Sequence, residues 1–130
     1  MSANMSNNKR LFTLPTDSNE RKEYPLFRGC LRYFAAALAG VSRISKLGND
    51  KHNPGATEMF HARGKSTDHS DCIIRHLIDV EDLLARIERG EMVHSQNVLD
   101  EVSQMTWRAL ALSQELHERF GAPLAPAAKE

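Results

Sequence analysis

The sequence predicts an all-α fold, a small bundle of three main helices with a long functional loop between the first two, completed by dimerisation. Three observations predict it. Apolar residues recur at three- and four-residue steps over three long stretches. No stretch alternates with the two-residue period of a strand. Glycines punctuate the ends of the periodic stretches. A chain of 130 residues makes one domain. Three amphipathic helices bury only a modest core, so a second copy is expected to complete the bundle.

Residues 1–22 are polar, contain Pro15 and show little periodicity, and read as a mobile arm. Pro25, Phe27 and Gly29 mark the turn that opens the folded domain, residues 23–121. The first helix follows from Leu31, with Phe34, Ala35, Leu38, Val41, Ile44 and Leu47 at helical spacing and Gly48 as its cap. Residues 48–67 then read as a loop, with Gly48, Pro54, Gly55 and Gly64 interrupting regular structure. Loops of that length in a compact domain are functional or disordered, and this one mixes cationic, imidazole and aromatic residues, including His61 and Phe60. Ser66 or Thr67 caps a second helix, and Asp68 and Asp71 suit the positive end of its dipole. Its apolar stripe is Ile73, Leu77, Val80, Leu84 and Ile87, and Gly90 ends it. The third helix spans roughly residues 98–120, with Val98, Val102, Met105, Ala109, Leu112 and Leu116 inward and Gly121 and Pro123 closing it. The Ala/Pro-rich tail, residues 122–130, reads as frayed.

Composition narrows the function. Hydrophobic residues are 41% and charged residues 26%, as in ordinary globular chains. Lys+Arg and Asp+Glu each number 17, so there is no basic field of the kind a sequence-blind nucleic-acid binder needs. Cys30 and Cys72 sit within helical patterns with no C-x-x-C spacing and do not suggest a disulfide framework. No apolar run approaches a membrane span, and the amino end lacks the apolar core of a signal peptide. The expected location is the cytoplasm.

The chemistry concentrates between Gly48 and Leu77. Lys51, His52, Asn53, Arg63, Lys65 and Ser66 surround flexible backbone that leads into a helix N-terminus, the combination that binds phosphate. Arg63-Gly64-Lys65-Ser66 ends like a P-loop but lacks the first glycine and a preceding strand, so it is no Walker A motif. On the second helix Asp68, Arg75, Asp79, Asp82 and Arg86 share one stripe with Asp71 at its edge; they make either a solvated charged face or a metal-binding one. His69 and His76 lie seven residues apart on one side of that helix, as satisfied core histidines or as general bases. Trp107 packs on a neighbouring helix or stacks on a base, and Arg108 beside it is a surface cation or a phosphate ligand.

These residues carry a resemblance. Gly48 with Lys51-His52, Arg63-Gly64-Lys65-Ser66, Arg75-His76-Leu77, Gly90-Glu91 and Trp107-Arg108-Ala109-Leu110-Ala111, over roughly residues 21–118, resemble a family of small phage and prophage proteins. That family is the dATP/dGTP diphosphohydrolase N-terminal domain family, formerly a domain of unknown function. The resemblance implies an all-α protein that removes pyrophosphate from dGTP or dATP. Where many relatives carry a histidine near the start of the last helix, this chain has Asp100-Glu101. Such carboxylates can complete a metal site, as in MazG-like pyrophosphohydrolases, although the Glu-x-x-Glu of those enzymes is missing from the second helix.

The expected function is therefore Mg²⁺-dependent hydrolysis of purine deoxynucleoside triphosphates. Arg63 and Lys65 would hold phosphates, Arg75 would neutralise developing charge, and His69 or His76 would move the proton. Asp68, Asp71, Asp79 and Glu101 would hold the metal. Two other readings use the same residues: a non-catalytic nucleotide sponge of a phage, or a structural or regulatory helical protein. The expected partners are a purine nucleotide and further copies of the chain.

Overall fold

The structure, a computed structural model, describes residues 14–59 and 61–129. Most of the expected arm, residues 1–13, and Phe60 lie outside the described residues, as does the side chain of His61. The fold is predominantly helical with three main helices packed together. A four-residue helix, α1 (Ser18–Arg21), comes first; Asp17 caps it by accepting from the Glu20 amide at 3.0 Å. A single π-helical turn, Phe27–Leu31, follows where Pro25, Phe27 and Gly29 mark the entry turn, just ahead of the first long helix.

That helix, α2 (Ala35–His52), starts and ends later than the glycine pattern predicts. It runs straight through Gly48. Two side-chain bonds hold the continuation together: Lys46 pairs with Asp50 at 2.6 Å, and Asn53 Nδ2 donates to Asn49 Oδ1 at 3.1 Å. Lys51 and His52 therefore belong to its last turn, and the connecting loop is shorter than expected. After the loop come α3 (His69–Glu88) and α4 (Ser95–Arg119). Asp68, rather than Ser66 or Thr67, stands at the N-cap of α3. His94 brings the start of α4 forward to Ser95 by accepting from the Gln96 amide at 3.2 Å. Both later helices end at glycines with positive φ, +85° at Gly90 and +121° at Gly121, where a side chain would be strained.

The central helix is α4. It packs along α3 and also along α2, while α2 and α3 make no close backbone approach to each other. α2 and α4 approach closely at Gly40, where a Cβ would come 2.5 Å from Ser103 Oγ. Two polar ties flank this crossing: Arg43 pairs with Asp100 at 3.1 Å, and the Trp107 indole donates to Ser45 Oγ at 2.8 Å. Among the described residues the buried apolar ones are few, Cys72, Val80 and Ala128, joined by buried His69 and Ser103.

The tail expected to fray is instead built in. Ala125 donates its amide to Glu118 Oε2 at 3.1 Å. Beyond it β2 (Ala128–Lys129) pairs in parallel with β1 (His61–Ala62), in the register His61 to Ala128 and Ala62 to Lys129. Ala128 is only 5% exposed. Among the described residues no helix is long and apolar enough to cross a membrane.

Candidate functional site

Because α2 and α3 stand apart on either side of α4, the gap between them forms a cleft of about 700 Å³. That volume lies within the range of small-molecule sites. Its α2 wall carries Ser45, Gly48, Asn49 and His52. Lys65 and Ser66 come in from the loop, and His76 from α3. Gln104, Trp107 and Arg108 form the floor on α4, and Ala127 of the tail closes one side. Gly48 contributes space: a Cβ added there meets nothing within 4 Å. An anchored aromatic ring, two cations and two imidazoles thus share one concavity.

Arg108 is held from behind. Its Nη1 donates to His69 Nδ1 at 3.2 Å and lies 3.6 Å from Asp68 Oδ1. A guanidinium can only donate, so Nδ1 must be the unprotonated ring nitrogen and the proton sits on Nε2. Nε2 in turn donates to Glu115 Oε2 at 2.9 Å. His69 is buried and both of its nitrogens are engaged, so its place is that of a positioning residue under Arg108. Asp68 also accepts from the Cys72 thiol, at 3.5 Å. That hydrogen bond, followed by the charges of Arg108 and Arg75, holds Asp68 below the usual carboxylate range.

The other histidine faces a carboxylate pair. His76 Nδ1 lies 2.8 Å from Glu101 Oε1, and one ligand-capable atom from each of His76, Asp79 and Glu101 falls within 4.8 Å of the others. His76 and Asp79 are three residues apart and project from one side of α3. Glu101 reaches across from α4. His76 and Glu101 are about three-quarters buried, and Asp79 is exposed. One nitrogen and two carboxylate oxygens at this spacing are a donor set that fits a divalent cation.

The remaining expected residues divide. His52, Asn53, Lys65 and Ser66 line the cleft, whereas Lys51 is exposed on the last turn of α2, outside that lining. Arg63 is committed to Glu118 by two parallel bonds of 2.7 Å each, Nε to Oε1 and Nη2 to Oε2. Both partners are largely buried, and the pair holds Glu118 down at a pKa of about 2. Arg63 therefore fastens the loop to α4. Arg75 donates to the Cys72 sulfur at 2.9 Å, Asp68 faces Arg108 and Cys72, and Asp71 is exposed on the first turn of α3. Asp68 and Asp71 do not join the His76, Asp79 and Glu101 cluster.

The sequence argument missed Glu115, Glu118, Gln104 and Asn49. A signal was present for the first of these: Glu101, Arg108 and Glu115 recur every seven residues, one side of a helix, just as His69 and His76 do on the facing helix. No protein-family model, curated protein or solved structure matches this chain, so the site is described by its own geometry.

Proposed function

We propose that this cleft binds a purine deoxynucleoside triphosphate and hydrolyses it to the monophosphate and pyrophosphate, in the nucleotide metabolism of a phage or prophage. The observation that carries the reading is the convergence of Lys65, Arg108, Trp107 and His76 on one cleft of about 700 Å³. The indole of Trp107, fixed by Ser45, offers a stacking face for a base. Lys65 and Arg108 line the cleft and would supply the positive charge a polyphosphate needs. The resemblance to the dATP/dGTP diphosphohydrolase N-terminal domain family supports the same substrate class.

In the reaction, water attacks the α-phosphorus, the bond from that phosphorus to the bridging oxygen breaks, and pyrophosphate leaves. His76 and Glu101, 2.8 Å apart, hold and orient the attacking water, and the proton it loses passes to solvent. Arg108, steadied by His69, balances charge that develops on the phosphate oxygens. A divalent cation bound beside the phosphates would supply Lewis acidity and lower the pKa of a bound water. The working unit is a dimer or larger homo-oligomer, for which the half-exposed apolar surface of α3 argues.

The test is incubation of pure protein with dGTP or dATP and Mg²⁺ or Mn²⁺, followed by separation of the products. Monophosphate and pyrophosphate in equal amounts are expected. Turnover should drop at least 100-fold in Arg108→Met and in His76→Gln. Nucleotide binding without any product would favour the sponge reading, and no binding of either nucleotide would remove both.

A further inference from the structure

We infer that His76, Asp79 and Glu101 form a binding site for one divalent transition-metal ion, of the manganese, cobalt or zinc class rather than magnesium. The inference deepens the hydrolase reading by naming the cation class at the same cleft, and it can stand or fall separately.

Three features carry it. The first is the juxtaposition itself: ligand-capable atoms on two different helices lie within 4.8 Å of one another. The second is an electrostatic imbalance. Asp79 and Glu101 have no lysine or arginine in ion-pair contact among the described residues, although arginines pair with Asp100, Glu118 and Glu91 elsewhere. His76 Nδ1 lies 2.8 Å from Glu101 Oε1, so donor atoms from the two helices already converge on one point. The third is location, because His76 also lines the cleft that holds Lys65 and Arg108. A metal there would have the phosphate-binding cations as neighbours.

The donor set selects the ion. Magnesium favours an all-oxygen octahedron and seldom accepts imidazole, whereas manganese, cobalt and zinc take mixed nitrogen and carboxylate ligands. Three protein ligands also leave coordination positions open for water and a phosphate oxygen, which a purely structural metal would not.

The experiment uses tag-free protein without nucleotide. Cobalt(II) is titrated while its visible absorption is followed, with metal content confirmed by elemental analysis after gel filtration. The expected result is one cobalt per chain, with binding at least 10-fold weaker in Asp79→Asn and in Glu101→Gln and abolished in the double variant. Asp82→Asn, an exposed carboxylate outside the cluster, should bind as the parent does. A 10-fold molar excess of Mg²⁺ should leave the absorption unchanged. Circular dichroism on each variant identifies any that has lost its helices, and the comparison is made among those that keep them. Equal cobalt binding by the parent and the folded Asp79→Asn and Glu101→Gln chains would overturn the site. Displacement by equimolar Mg²⁺ would overturn the selectivity. Nucleotide affinity in metal-free buffer, measured in parallel, depends on Lys65, Arg108 and Trp107, so loss of the metal site would leave the nucleotide reading to its own test.

Discussion

Two parallel bonds join Arg63 of the loop to Glu118 of α4. Sequence reasoning saw a cation in a glycine-containing loop and assigned it to phosphate. Its carboxylate partner lies 55 residues away, a separation that no local pattern reports. The pair carries a pH signature. Glu118 has its pKa lowered from the ordinary 4.5 to about 2. A depressed carboxylate contributes its full stability above pH 4.5 and loses it as pH falls toward 2. Replacing Glu118 with Gln should therefore cost about 2–3 kcal/mol near neutrality, with the gap to the parent closing below pH 4.5. Urea unfolding of both chains between pH 7 and pH 3 measures this. His69 and His76 were legible as a pair because their spacing sets them on one side of a helix. Which was positional and which faced the cleft was not, since that depends on Arg108 and Glu115 for one and Glu101 for the other.

At the scale of elements, two glycines of α2 have opposite roles. Gly40 permits the close crossing with Ser103, and Gly48 opens space in the cleft. A leucine at position 40 should push α2 from α4 and destabilise the chain by about 1–3 kcal/mol. A leucine at position 48 replaces a poor helix former and meets no neighbour, so stability should hold or rise by up to about 1 kcal/mol. It should nonetheless weaken nucleotide binding by at least 10-fold by filling the cleft. Thermal unfolding together with calorimetric titration of dGTP separates the two outcomes. The helices themselves were legible from apolar periodicity, and Gly90 and Gly121 marked their ends. Gly48 misled because a glycine kept for space looks the same in sequence as one kept for a turn. The pairing of the tail with β1 had no signature at all, because two residues per strand are too few for a period to be seen.

Large apolar side chains stay uncovered on the described part of the molecule. On α3, Ile74, Leu77, Ile78 and Leu84 are 41–54% exposed and lie within an arc of about 120° beside the buried face. With no net charge to oppose association, a second copy is the expected cover. Sedimentation equilibrium should give a dimer or larger species, and Ile74→Glu with Ile78→Glu should shift it toward monomer. A parent chain that sediments as a monomer at 100 µM would contradict this.

Finally, α2 packs closely against only one of the other two long helices, α4. A helix so attached is the part most ready to detach transiently, so its peptide hydrogens should trade with deuterium faster than those of α3 or α4. A ligand wedged in the gap would touch both outer helices at once and serve as the strut they lack. Mass spectrometry of deuterium uptake should then show Ala35–His52 slowing most when dGTP is added.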